Sequence, residues 1–418
     1  MNLGTRSLIV FLFLLFNSAI HATPEKLLKD AVLLNGFKSA DQINPVTNDE
    51  LVMIGKNFFN SENISLNGDT SCQTCHLDKF GSADGIPNAV GVGGVGEGAD
   101  RVKNYGAILP RNTLPLWGRG IENFNVLFWD GRVEKVEEYI FSQFGKDFPS
   151  NDPLIVAAHL PPVEIREMLV EDKFITDNKQ ERLTSAENVF SKLADKARLV
   201  EAEAMQKLAD FHNIDISEVT YFHIAESIAE FIREKFAVQQ TKFHKFVYED
   251  GPLTDKEFNG AMLFYGKGKC ASCHSGPLLS DMQFYTIPFP QIGYGKNGFG
   301  IDYGKYNTTH NPSDLYKFRT PPLLDVENTF PYSHSGSVAN LEEAIVYHFD
   351  PLRYFDASSS KELDRVEYYK RLSLATKSEL LTVYLSEKEI EEVISFLKTL
   401  TGHVGSCVEP PARQFNYR

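Results

Sequence analysis

The chain has 418 residues, 42% of them apolar, with 42 basic residues against 56 acidic ones and a formal charge of −14. The length suits two domains of ordinary size, and the apolar share is enough to build two cores. The acidic balance sets nucleic acid aside as a partner.

Arg6 precedes an apolar run from Leu8 to Phe16, and small residues follow up to Ala22, which reads as a secretory signal peptide over residues 1–22. A membrane span needs about 20 apolar residues. This run is shorter and ends in Asn17 and Ser18, and no cysteine sits near the cut, so no membrane anchor is expected. Cleavage leaves 41 basic against 56 acidic residues, a charge of −15. Export predicts the periplasm, where unpaired cysteines risk disulfides.

Thr47-Asn48-Asp49-Glu50 reads as a capping box, opening a helix with Leu51, Ile54, Phe58 and Phe59 on one face. Ser71-Cys72-Gln73-Thr74-Cys75-His76 follows, and its pattern returns at Lys269-Cys270-Ala271-Ser272-Cys273-His274. Two cysteines two residues apart, then histidine, let both thiols add to the vinyl groups of one haem while the imidazole reaches the iron. Zinc would need two further ligands at matching spacing, and a redox pair needs no histidine behind it in both copies. Two covalently bound c-type haems are predicted, with His76 and His274 on their irons. Cys407 is the one cysteine left over.

From Phe80 to Arg111 the chain is glycine-rich, but no Gly-Lys-Ser/Thr follows, so it is expected to be a loop over a haem face rather than a phosphate cradle. Glu171 to Asn213 is charged and helical in flavour, expected as solvated scaffold. A closing helix is predicted from about Ser217 to Phe236, with Ile224, Ile228, Phe231 and Ile232 at helical spacing. Glu249-Asp250-Gly251-Pro252 punctuates the chain. After it the order repeats: a capping box at Thr254 to Glu257, the second haem motif, and a closing helix from the box Ser386 to Glu389 through Leu400 to Gly402. The expected fold is mainly α, with two cytochrome c-like haem domains packed against each other and long loops. They cover residues 23–248 and 249–405, and 406–418 form a tail.

Two haem motifs in an exported chain, with Arg111-Asn112-Thr113-Leu114-Pro115-Leu116, Phe128-Trp129-Asp130-Gly131-Arg132, Pro162-Val163-Glu164 and Pro331-Tyr332-Ser333-His334-Ser335-Gly336 in that order, resemble the bacterial di-haem cytochrome c peroxidase family, which includes the MauG-like enzymes. The likeness runs from about Thr47 to Gly402. It implies that peroxide is handled at the haem of His76 and that electrons pass through the haem of His274, with Trp129 between the two. It also implies that Glu164 lies over the first iron as the proton-moving carboxylate, and that Asn112, Thr329 and Pro331 hold a calcium ion through oxygen atoms. Trp129 as a core aromatic, Glu164 as a surface residue and Asn112 as a loop-ordering residue are the plainer alternatives.

The departures bear on mechanism. Many members carry a histidine before Arg-Asn; Asp100 to Pro110 has none, and Asn104 falls near that place, which predicts an open first iron. Tyr139 stands where many members have glutamine. The family's distal methionine at the second haem falls on His348, with Tyr347 as competitor, so two imidazoles are expected on that iron. The resemblance implies a periplasmic peroxidase taking hydrogen peroxide and a small redox protein. The rival readings are oxidation of a partner protein's side chains and a plain electron carrier, and the oligomeric state, a homodimer included, stays open.

Overall fold

The structure, a computed structural model, describes residues 23–146, 148, 150–170, 179–296, 300–355, 358, 362–402 and 408, without the side chains of 179–183. The expected signal peptide, Cys407 and nearly all of the expected tail lie outside the described residues. Eleven helices of six residues or more occur among those described: α1 (Pro24–Leu34), α2 (Asp49–Asn60), α3 (Pro153–Ala158), α4 (Lys179–Val200), α5 (Ala202–His212), α6 (Tyr221–Lys235), α7 (Lys242–Glu249), α8 (Asp255–Tyr265), α9 (Leu341–Phe349), α10 (Glu362–Ser373) and α11 (Glu387–Lys398). The sheet content is small: β1 (Val126–Leu127), β2 (Val133–Val136) and β3 (Tyr139–Ser142) form one antiparallel meander, and β4 (Phe284–Tyr285) pairs with β5 (Phe318–Arg319).

Two of the three expected capping boxes form as read: Thr254 with Glu257 starts α8 and Ser386 with Glu389 starts α11. The first slips by one residue. Asn48 Oδ1 accepts from the amides of Glu50 and Leu51, while the Thr47 hydroxyl donates to Glu234. Asparagine is as good a cap as threonine or better, and Thr47 has a partner on α6.

The duplication expected from the sequence is present as two crossed helix pairs. In α2 against α6, a Cβ on Gly55 would lie 1.8 Å from the Ser227 carbonyl oxygen; in α8 against α11, one on Gly260 would lie 1.9 Å from that of Glu392. Glycine is what allows the backbones to meet. Four residues further on, Phe59 packs 5.1 Å from Phe231 and Phe264 packs 5.0 Å from Phe396, and each of Phe59 and Phe264 stands 6.4 Å from its motif histidine.

The turn at Asp250 is present, with φ 55°. Packing crosses it, because α1 and α7 lie on the second pair. Phe37 packs at a tilt 5.3 Å from Phe243, whose ring stands 4.9 Å from Phe396, and the Gly276 amide donates to the Asn35 carbonyl at 2.6 Å. From Lys179 to Asn213 the charged stretch is helical but not merely solvated scaffold: Val189, Leu193, Met205 and Leu208 are fully buried, because charge fills only the outer faces of α4 and α5.

Candidate functional site

Each haem motif folds as one short turn. From Cys72 to Thr74 a 3-10 turn, closed by the Ser71 amide on Thr74 Oγ1 (2.9 Å), lets Cys75 and His76 both donate to the Cys72 carbonyl. His76 Nδ1 sits 2.9 Å from the Ser82 carbonyl, so it carries the proton and Nε2 is left with its lone pair. Burial lowers the imidazole to about 4, which keeps it neutral. The second copy repeats this: His274 Nδ1 lies 3.1 Å from the Leu279 carbonyl, and burial, with His348 adding to it, lowers His274 to about 4. A carbonyl on Nδ1 is how proteins orient a metal-ligating imidazole.

His76 opens on a cavity of about 710 Å³ with apolar walls that include Phe59, Leu116, Phe128, Met168 and Ile228. His274 opens on a second, of about 210 Å³. Burial pushes the Cys72 and Cys270 thiols up to about 12. Redox or zinc cysteines need the opposite shift. The guanidinium atoms Arg119 Nη1 and Arg319 Nη2 are buried without a hydrogen-bond partner, Arg119 in the wall of both cavities and Arg319 in that of the second. Buried cations of this kind call for an anion, and haem propionates supply one. The residues therefore fit two covalent haems.

Trp129 belongs to the wall of both cavities. It follows β1 in the connection to β2, is 9% exposed, and donates from Nε1 to the Asn112 carbonyl at 3.1 Å. Its own carbonyl accepts the Arg319 amide at 2.9 Å, so both ends of the residue are fixed.

Glu164 lines the first cavity and is clamped there. Arg132 donates to its Oε1 and Lys296 to its Oε2, each at 2.9 Å. Burial alone would raise the carboxyl, but Lys296 and Arg132 outweigh it and hold Glu164 down at about 2. The pair continues inward as a ladder of alternating charge. Arg132 Nε lies 3.4 Å from Asp130, Arg111 reaches Asp130 at 2.7 Å, and the other side of Arg111 meets Asp302 at 2.6 and 2.9 Å. Glu167, in the same cavity, is pushed up by burial and by the Glu164 charge.

Asn104 is exposed, and its amide donates to the Val95 and Asp100 carbonyls, so it stays in its own loop. The glycine-rich loop reaches the first cavity through Ala89, Leu109 and Pro110. Its tightest glycine approaches backbone rather than ligand: a Cβ on Gly91 would lie 1.9 Å from the Arg166 carbonyl oxygen. Tyr139 is 52% exposed on β3, outside the cavity; Gln143, four residues later, lines it instead. The hairpin pairing turns Tyr139 outward, which counting along the chain does not register.

In the second cavity, His348 on α9 faces His274 with ring centroids 6.4 Å apart. An atom held by both imidazoles at about 2 Å, with roughly 1 Å from nitrogen to each ring centre, gives about 6 Å. His348 Nδ1 lies 2.8 Å from the Ala344 carbonyl, leaving Nε2 for a ligand. Tyr347, one residue earlier, is turned toward Phe289 and Tyr354 instead.

Asn112, Thr329 and Pro331 come together in the wall of the second cavity, and Asn112 lines the first as well. Asn112 Nδ2 donates to the Pro331 carbonyl at 2.6 Å, Thr329 is buried, and Asn112 Oδ1 is buried with no partner. An orphaned oxygen beside a backbone carbonyl fits a hard cation. Sequence reasoning missed Lys296, Asp302, Arg119 and Gln143; none lies in a motif, and only spatial proximity identifies them.

Residues 49–251 match the family described as di-haem cytochrome c peroxidase. The chain is 26% identical over 382 residues to the cytochrome-c peroxidase IdrP1 of Denitromonas iodatirespirans, covering 86% of this chain and 83% of that protein. It is also 26% identical over 373 residues to the methylamine utilization protein MauG of Methylorubrum extorquens, covering 88% and 82%. Among solved structures, the di-haem peroxidase BthA from Burkholderia thailandensis superposes with a TM-score of 0.63 at 17% identity, over 88% of this chain and 91% of that one. The two attachment motifs, the paired cavities and the tryptophan in both walls agree with these matches, and the chain is similar to the di-haem cytochrome c peroxidases.

Proposed function

We propose that this protein is an exported, periplasmic di-haem peroxidase of two cytochrome c-like units, reducing hydrogen peroxide at the haem of His76 with electrons that arrive through the haem of His274. The observation that carries the reading is Trp129, which forms part of both cavity walls and is pinned at both ends. When bound, each haem would supply an iron that changes oxidation state by single electrons.

The chain's own residues do the rest. Glu164, ionised at neutral pH, takes a proton from the approaching peroxide and returns it to the departing oxygen. Arg132 and Lys296 orient that carboxylate, and the apolar wall of Phe128 and Met168 excludes bulk water. His348 would help hold the second haem together with His274. A calcium ion held by Asn112 Oδ1 and the Thr329 and Pro331 carbonyls would tie the two halves together. The packing of α1 and α7 supports dividing the units so that both helices go with the second.

The test is stopped-flow mixing of peroxide with the protein carrying both haems. Rapid turnover with reduced cytochrome c, strongly slowed in Trp129→Leu at unchanged haem content, is the expected result. Turnover that does not depend on position 129 would sink the relay. A second reading, oxidation of a partner protein's side chains, is favoured by the nitrogen ligand at His348 and the missing loop histidine. It predicts that peroxide alone leaves a long-lived state oxidised at both haems. Wholly low-spin ferric protein would instead mark a plain electron carrier.

A further inference from the structure

Three phenols among the described residues donate to carboxylates: Tyr285 to Asp281 at 2.7 Å, Tyr316 to Glu367 at 2.5 Å and Tyr354 to Glu342 at 3.2 Å. Of these, Tyr285 lines the second cavity. Cys273, which would carry a haem thioether, lines the same cavity, and the Asp281 amide donates to the Cys273 carbonyl at 2.8 Å. The ring is partly exposed. It therefore spans the step from the thioether edge of the haem to solvent.

The position is built rather than loose. Tyr285 is held in β4 against Phe318 of β5, and the Thr286 amide next to it donates to Thr376 Oγ1 at 2.9 Å. Asp281 Oδ1 accepts the Gln283 amide at 2.9 Å, which leaves Oδ2 aimed at the phenol. Lys377 Nζ lies 4.8 Å over the ring. An ammonium there opposes a positive charge on the ring, so an electron can leave only if the proton leaves with it. Asp281 Oδ2 is placed to take that proton. Burial and the Asp281 charge both raise the phenol, so it starts protonated.

We propose that Tyr285 and Asp281 form a proton-coupled redox relay between the second haem and the protein surface. One electron passes from the Tyr285 phenol to the oxidised haem group, which is reduced by one electron. The phenolic O–H bond breaks, its proton goes to Asp281 Oδ2, and a neutral tyrosyl radical remains until an external one-electron donor restores the phenol and recovers the proton. Hydrogen peroxide is the terminal oxidant, so the relay rests on the peroxidase reading.

The test mixes the ferric protein, with both haems attached, with peroxide and no donor, then freezes it for electron paramagnetic resonance while absorbance follows the haems. A free-radical signal that narrows in protein made with ring-deuterated tyrosine, and that is lost in Tyr285→Phe, is expected. Asp281→Asn should slow its appearance by about tenfold or more. Haem content by mass and the resting spectrum should be unchanged in both variants. Haem oxidation without a tyrosyl signal, or a signal of equal size in Tyr285→Phe, overturns the relay alone. No haem change with peroxide removes the peroxidase reading and the relay with it.

Discussion

Glu164 sits between two cations, and that decides how it titrates. Its carboxyl is at about 2 instead of the usual 4.5, so the ionised form persists as pH falls through the range where an ordinary glutamate is neutralised. In the unmodified protein the rate of the peroxide step should stay level from neutral pH down to about pH 4, as far as this group governs it. Lys296→Met removes one of the two cations, raises the Glu164 pKa, and should bring an inflection into that range. A profile identical to the unmodified protein would take Lys296 out of the site. Glu164→Gln should slow the peroxide step by about 100-fold or more with both haems still attached. At the second haem, His348→Ala should convert the ferric iron to high spin while Tyr347→Phe leaves it low spin, both read from the absorption spectrum.

The two crossed helix pairs depend on glycine where the backbones meet. At Gly55 and Gly260 an added Cβ would fall within 2 Å of a backbone oxygen of the opposing helix, and backbone has no rotamer with which to escape. Gly55→Ala and Gly260→Ala should each destabilise the protein by about 1–3 kcal/mol or more. Gly300→Ala, with nothing among the described residues within 4 Å of the added carbon, is the matched control. Denaturant midpoints separate the two classes, and equal midpoints would show that the helix pairs have room to part.

The charge ladder joins distant parts of the chain. Lys296 and Asp302 come from the second half of the sequence, Arg111, Asp130, Arg132 and Glu164 from the first, and all six meet where the halves pack. A buried ladder costs desolvation, and breaking one rung leaves an unpaired charge. Asp302→Asn should therefore cost roughly 3–5 kcal/mol in thermal or denaturant unfolding. Because the folded pKa of Glu164 is depressed, its contribution is present above pH 4.5 and lost as pH falls toward 2. The shift corresponds to roughly 3 kcal/mol. Acid unfolding in that window, little changed by 1 M salt because the pairs are buried, is the expected behaviour.

The sequence alone determined the local turns of the two attachment motifs and the order of parts. Attachment motifs are local: Cys72, Cys75 and His76 lie within one turn, so their spacing already fixes their geometry, and caps such as Thr254 with Glu257 are equally local. The doubled helix plan was legible because apolar spacing repeats. What only the tertiary structure decided is what comes from far along the chain. Lys296 against Glu164, Arg119 with its Nη1 unpaired in both cavity walls, Gln143 in place of Tyr139, and His348 in place of Tyr347 in the second cavity all depend on which backbones approach each other. A one-dimensional pattern carries the preference of each segment, whereas the direction a side chain faces is set by which other segments pack against it.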